Sequence, residues 1–433
     1  MHRREFLGSI ALPTAAALPL ACMPVLRRDA HERVAELGSD PRPPEEVARD
    51  EAFWFQVQQA FTPDRAMINL NNGGVCPAPR VVQDAMKRYL DHANTAPAYV
   101  LWRVQDPQKE PVRAGLARLF GADPEEIAIT RNASESLENV QQGLALQRGD
   151  EVVTTTQDYP RMLTTWEQRA RRDGIVLKKI RVPLACEDPA EIVRRFEAAI
   201  TDRTRVLHLC HVINLTGQVM PVRDVVRMAR AKGIPVVVDG AHSFAHLDFK
   251  HADLDCDYYG TSLHKFLFAP HGTGMLFVRR EKLRGLWPLM AAPEKLDDDI
   301  RKFEEIGTHP MANFLAIADA LTFHFGIGPA NKQARMLYLR DTWAKRLAAN
   351  PRVKLHTSLK PGFATGVCNV EIDGVDSVKL TEHLWAKHKI FTVAIVHDEF
   401  QGVRVSPAVY TTLEELDRFC AAMERVIRDG LPA

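Results

Sequence analysis

Two residues carry the most direct chemistry in this sequence. Asp239 ends an apolar run, Ile234-Pro235-Val236-Val237-Val238, and so stands at the carboxyl end of a strand. Lys265 follows 26 residues later in Ser262-Leu263-His264-Lys265-Phe266, just ahead of a glycine turn, Pro270-His271-Gly272-Thr273-Gly274. A lysine wedged among apolar residues is partly desolvated, which disfavours its ammonium form and frees the amine to attack carbonyls. A carboxylate set against a pyridine nitrogen keeps that nitrogen protonated and the ring an electron sink. An amine for the aldehyde and an acid for the ring are what pyridoxal 5'-phosphate requires. Two other roles for Asp239 stay open at this point. A Walker B aspartate would need a Gly-x-x-x-x-Gly-Lys-Ser/Thr loop, which the chain lacks; a helix N-cap would need nothing more.

A phosphate needs a cradle and a carboxylate needs a fork. Arg131-Asn132-Ala133-Ser134-Glu135-Ser136 follows a strand and opens a helix, where free N–H groups and the Ser134 hydroxyl suit a phosphate. Ser134 also serves as a plain N-cap in the simpler reading. Arg404, in Gly402-Val403-Arg404-Val405-Ser406, is a strand arginine between valines. Its planar fork suits a carboxylate; an exposed strand position is the alternative.

The elements that must hold these groups alternate. Strands are expected at 127–130, 151–154, 205–209 and 235–238, with helices at 136–146, 162–173 and 222–232 between them. That alternation predicts a mostly parallel sheet covered on both faces. After Asn313 the texture turns helical to about Asn350. Strands at 366–372 and 402–406 and helices at 377–387 and 412–428 then predict a smaller α+β unit. The expected organisation is an export signal at 1–22, a linker and N-terminal segment at 23–67, a large domain at 68–325 and a small C-terminal domain at 326–433.

The string Asp257-Tyr258-Tyr259-Gly260-Thr261-Ser262-Leu263-His264-Lys265-Phe266-Leu267-Phe268-Ala269-Pro270-His271-Gly272-Thr273-Gly274 resembles the cofactor-lysine motif of class V aminotransferases. With Asp239-Gly240-Ala241-His242 it is similar to the isopenicillin-N-epimerase-like branch, from about Ile68 to the C-terminus. The resemblance implies an α/β fold of the fold-type I pyridoxal-phosphate class. It implies that Lys265 forms the Schiff base and shuttles protons at the substrate α-carbon, and that Asp239 pairs with the ring nitrogen. Ala133 and Ser134 would meet the phosphate, helped by Ser262 and His264. His242 would sit near the phenolic oxygen, and Tyr159 would stack on the ring. Asn214 would contact cofactor or substrate, and Arg404 would clamp the substrate carboxylate. Asn72 would line the substrate entrance. Gly307-Thr308 would reach the phosphate of a neighbouring subunit, which implies a homodimer.

The expected activity is that of an aminotransferase or epimerase acting on an amino acid or peptide-like molecule, with C–S or other lyase chemistry as the alternative. A non-catalytic binding protein that kept the fold is the alternative of another class; retention of Lys265, Asp239 and Arg404 together argues against it. A cysteine desulfurase needs a mobile thiol ahead of the carboxylate-binding arginine. The segment between Cys368 and Cys420 holds none, so desulfuration is not expected unless a large-domain thiol such as Cys76, in a glycine-rich loop, takes over.

The whole sequence sets outer limits. It has 433 residues, 46% hydrophobic and 26% charged, with net charge +1 and seven scattered cysteines. Nothing in that balance points to nucleic acid, and no Cys-x-x-Cys pair indicates a zinc site. Arg3-Arg4-Glu5-Phe6-Leu7 followed by an apolar stretch to Cys22 resembles a Tat export signal, which implies the Tat translocon as partner and a periplasmic location. Leu20-Ala21-Cys22 resembles a lipoprotein box, with Pro19 where an aliphatic residue is usual. No later run reaches the roughly eighteen apolar residues of a transmembrane helix.

Overall fold

The structure, a computed structural model, describes residues 40–431. The twin-arginine stretch and Cys22 therefore lie outside the described residues. Strand β1 (Ile68–Asn69) belongs with the C-terminal strands. The large sheet comprises β2 (Ile127–Thr130), β3 (Glu151–Thr155), β4 (Val176–Ile180), β5 (Thr204–Cys210), β6 (Val236–Asp239), β7 (Tyr258–Ser262) and β8 (Gly274–Val278), in the order β2-β8-β7-β6-β5-β3-β4. From β7 across to β4 neighbouring strands are parallel; β8 runs antiparallel to β2 and β7. The strands of the sheet centre are buried along their whole length, and β6 and β8 accordingly read as largely apolar runs, whereas β7 buries Tyr-Tyr-Gly-Thr-Ser. β4 was not evident from sequence. Its Val-Leu-Lys-Lys-Ile pattern is that of an edge strand: Lys179 faces water, while Lys178 turns in to Glu151 at 2.7 Å.

The helices of the first half are α1 (Glu51–Gln59), α2 (Arg80–Thr95), α3 (Lys109–Phe120), α4 (Ala133–Gly143), α5 (Pro160–Asp173), α6 (Pro189–Ala199) and α7 (Val222–Arg230). The last four are the crossovers between successive strands from β2 to β6. α4 starts three residues before the expected position because Asn132, and not Ser134, caps it: the Asn132 Oδ1 accepts from Glu135 N at 2.9 Å. α5 closes on Gly174 in the left-handed conformation.

The C-terminal half contributes α8 (Ile317–Ile327), α9 (Pro329–Ala348), α10 (Ser377–His388) and α11 (Leu413–Asp429). Strands β9 (Val353–Leu355), β10 (Cys368–Ile372), β12 (Val393–His397) and β13 (Phe400–Val405) form an antiparallel sheet in the order β12-β13-β10-β9, while β11 (Ile390–Phe391) pairs in parallel with β1. Ile68 and Leu70, grouped by the sequence with the large domain, thus join Trp343 and Phe419 in the C-terminal core. A capping box of Thr412 and Glu415 starts α11. Among the described residues no single helix is long and apolar enough to cross a membrane.

The two sheets are sewn together beside the carboxyl ends of β5 and β6. Thr357 Oγ1 donates to Thr216 O at 2.6 Å, Asn369 Nδ2 to Leu215 O at 3.3 Å and Thr365 N to Gly217 O at 3.0 Å. Gly217 has φ +78°, and a Cβ there would stand 2.1 Å from the Val367 carbonyl oxygen. Only glycine fits that seam.

Candidate active site

The carboxyl ends of β5, β6 and β7 and the start of α4 open on one cavity of about 340 Å³. This is where open α/β sheets bind ligands. Asp239, the last residue of β6, is 4% exposed, and its Oδ1 accepts from Ala241 N at 2.9 Å. Burial pushes its carboxyl up to about 6, against the pull of that N–H and of Lys265. The β6 strand can turn away immediately because the next residue is glycine: a Cβ on Gly240 would overlap the Tyr259 ring at 1.9 Å.

Lys265 lies in the connection from β7 to β8 and aims its Nζ at His242 Nε2, 2.9 Å away. Burial, then the Arg404 charge, brings its ammonium down to about 8, while Asp239 opposes the fall. The amine is therefore available near neutral pH, as a Schiff-base lysine requires. Burial also holds the His242 imidazole far below its ordinary value, with Lys265 and Arg404 adding to the effect. His242 is thus neutral, accepts at Nε2, and leaves a buried Nδ1 with no hydrogen-bond partner among the described residues.

Arg404 stands in β13, 7% exposed, in register with Asn369 and Val393. Its Nη1 donates to Asn214 O at 3.0 Å and its Nη2 to Asn71 Oδ1 at 2.7 Å. Among the described residues no carboxylate pairs with it, and burial lowers it to about 10. A buried guanidinium held by neutral oxygens, its Nε without a partner among the described residues, is suited to an anion. The exposed-strand alternative for Arg404 is removed. Asn214 adds a buried, unpaired Oδ1 to the same cavity.

Ala133 and Ser134 sit in the first turn of α4 and face the cavity together with Ser262 and His264. Ala133 N donates to Ser262 Oγ at 2.9 Å. His264 is neutral, brought by burial to about 4, and its Nδ1 has no partner among the described residues. A helix start flanked by hydroxyls, a buried acid and unpaired polar atoms on the opposite wall fit pyridoxal phosphate. In that fit Ala133, Ser134, Ser262 and His264 would hold the phosphate, Asp239 the ring nitrogen and Lys265 the aldehyde. Tyr159, 40% exposed, forms part of the cavity mouth.

One expected residue, Asn72, does not line the cavity. Asn72 is fully buried and spent on structure: its Nδ2 donates to Asn69 O at 3.1 Å and Ser406 O at 3.0 Å, and its Oδ1 accepts from Tyr410 Oη at 2.6 Å. The neighbouring Asn71, which the sequence reading passed over, reaches Arg404, and Gly73 and Gly74 line the cavity. Thr308 lies on an exposed loop in a different cleft, beside Trp102 and Arg301. His246 was also passed over as ordinary. Its Nδ1 donates to His242 O at 3.0 Å and its Nε2 accepts from Gly366 N at 3.1 Å, so it ties the His242 loop to the C-terminal sheet.

Thiols are poorly placed for sulfur transfer. Cys76 is fully buried, donates to Asn72 O at 3.3 Å, and is pushed by burial up to about 12. Cys368 within β10 is likewise raised to about 12. Cys210 ends β5 and touches the cavity, but burial, with Asp158 and Asp239 nearby, holds its thiol protonated. Among the described residues no group of three or more His, Cys, Asp or Glu is arranged to hold a metal.

The model of the family described as aminotransferase class-V matches residues 68–419. Isopenicillin N epimerase from Streptomyces clavuligerus is 31% identical over 390 residues, covering 86% of this chain and 98% of that protein. A probable cysteine desulfurase from Synechocystis is 25% identical over 394 residues, covering 84% of this chain and 91% of that protein. Among solved structures, the cysteine desulfurase CsdA from Escherichia coli superposes with a TM-score of 0.75 at 23% identity, covering 87% of this chain and 98% of that one.

Proposed function

The chain belongs to the class V aminotransferase family of pyridoxal-phosphate enzymes, and from that premise we propose that it moves a proton at the α-carbon of an amino acid or peptide-like substrate, as an epimerase or aminotransferase does. One observation carries the reading. An amine at Lys265 and a guanidinium at Arg404 without a carboxylate partner among the described residues flank one cavity; among the described residues that line it the one cysteine, Cys210, is buried and held protonated.

Pyridoxal phosphate, when bound, supplies the electron sink that makes an α-proton removable. Arg404, held from behind by Asn214 and Asn71, receives the substrate carboxylate and fixes the α-carbon relative to Lys265. The Lys265 amine, poised near neutrality, takes the α-proton and returns it. The neutral His242, 2.9 Å from Nζ, accepts a hydrogen bond from Lys265 without competing for its charge. Lysine-only exchange favours return to the same face; an epimerase needs a second proton donor on the other side, and an aminotransferase does not.

Lyase chemistry at the side chain is the second reading, favoured by the similarity to the Synechocystis protein. The export expectation is retained as part of the proposal and rests on the Arg3-Arg4 segment. The homodimer is part of the proposal and is supported by the Gly307-Thr308 loop, which is exposed and lies outside the Lys265 cavity.

Incubating the holoenzyme with a panel of L-amino acids and short peptides in D₂O tests the reading. Deuterium at the α-carbon, lost in Lys265→Ala, is the expected outcome. No exchange with any member, together with sulfide release from L-cysteine, would replace it with the lyase reading.

A further inference from the structure

Lys332 is a second buried lysine with no role in the chemistry above. It lies in the first turn of α9, is 0% exposed, and has no carboxylate partner among the described ion pairs. A cation in the first turn of a helix opposes the helix dipole, and burying it unpaired is costly. Burial brings it down to about 7. Something must offset that cost.

Its contacts show what does. Nζ donates to the backbone carbonyl of Phe266, the residue after Lys265, lies 3.4 Å from His324 Nδ1, and sits 4.0 Å from the centroid of the Phe268 ring. Phe268 has φ +62°, a left-handed conformation that a bulky residue adopts only when its surroundings enforce it. The ring of Phe266 stacks on His246 at 3.9 Å. The carbonyls on both sides of Lys265 are thus held from outside the loop: His264 O by Cys76 N at 3.0 Å, and Phe266 O by Lys332.

We propose that Lys332 is a positioning residue that fixes the Lys265 loop and so sets the direction in which the cofactor-bearing amine points. The proposal rests on Lys265 as the cofactor lysine. Lys332 supplies a donor on a long stem where no backbone N–H reaches, and its contact with the Phe268 ring keeps that residue in its strained conformation.

The test uses holoenzyme and two readouts that need no substrate: the visible circular dichroism of the lysine-bound cofactor, and the rate at which hydroxylamine releases it. Lys332→Met keeps bulk and removes the donor. It should lower the visible signal about twofold and speed release about tenfold, the scale of one lost buried hydrogen bond. Lys332→Gln, a donor on a shorter stem, should fall between Met and wild type. Wild-type values for Lys332→Met in both readouts, with or without a lower melting temperature, would overturn the proposal, because a purely structural role moves melting alone. If Lys332→Met does not fold, Lys332→Leu replaces it. If neither folds, Lys332→Gln with wild-type values in both readouts overturns it. Borohydride labelling of the wild type is read separately: a label away from Lys265 defeats the assignment of that lysine, whatever the variants do.

Discussion

At the scale of residues, the site is a set of charges that tune one another. Arg404 depresses the Lys265 ammonium and Asp239 supports it. Removing each should therefore move Lys265 in opposite directions. In Arg404→Met the Lys265 pKa rises above about 8, so capture of pyridoxal phosphate by the apoenzyme, which needs the neutral amine, shifts to higher pH. In Asp239→Asn the Lys265 pKa falls and the same profile shifts to lower pH. Capture rates measured from pH 6 to 10 decide this; shifts in one common direction would refute the coupling. Arg404→Met should also weaken binding of carboxylate substrates by about tenfold to a hundredfold, as loss of charged hydrogen bonds implies. Much of this was legible in sequence, because Asp239 ends a strand, Lys265 sits in a loop motif ahead of a glycine turn and Arg404 stands between strand valines. Asn71 was not. Along an extended segment neighbours face opposite ways, and nothing in Asn71-Asn72 fixes the register, so only the pairing of Asn71 with Ser406 shows which one meets Arg404. The Ser134 cap failed for a similar local reason: Asn132, two residues earlier, is an equally good cap and already closes the turn.

At the scale of elements, buried polar ties hold what hydrophobic periodicity cannot specify. Arg113 on α3 is fully buried, donates through Nη1 to Ile127 O and Glu304 Oε1, both at 2.5 Å, and Glu304 accepts from Ile129 N at 2.7 Å. This anchors β2 to the segment that leads into Gly307-Thr308. Arg113→Met leaves the Glu304 carboxylate buried without its main partner and should cost about 3–5 kcal/mol in denaturant unfolding. A loss below about 1 kcal/mol would show that Lys109, 3.2 Å from Glu304, suffices. Strands such as β6 were readable because they are largely apolar, whereas β4 was hidden by its lysines and β1 by its brevity. The seam between the sheets could not be read at all. It is made of backbone carbonyls at Leu215, Thr216 and Gly217, which carry no side-chain signature.

At the scale of the whole molecule, the dimer and export readings make separate claims. If Thr308 serves a neighbour's site, Lys265→Ala and Thr308→Glu chains should each be inactive alone, and co-expression should restore α-proton exchange in mixed dimers. No recovery in verified mixed dimers would place Thr308 outside the site. Arg3→Lys with Arg4→Lys should retain activity in cell extracts while the protein stays in the cytoplasm. The bond from Arg404 to Asn71 spans 333 residues of chain, and β1 finds its partner only in β11. A nascent chain on the ribosome therefore exposes Ile68 and Leu70 until nearly all of it has emerged. The carboxylate pocket cannot form until β13 has been made, well after Lys265, so termination between the two yields protein that holds Lys265 but has no anchor for a substrate.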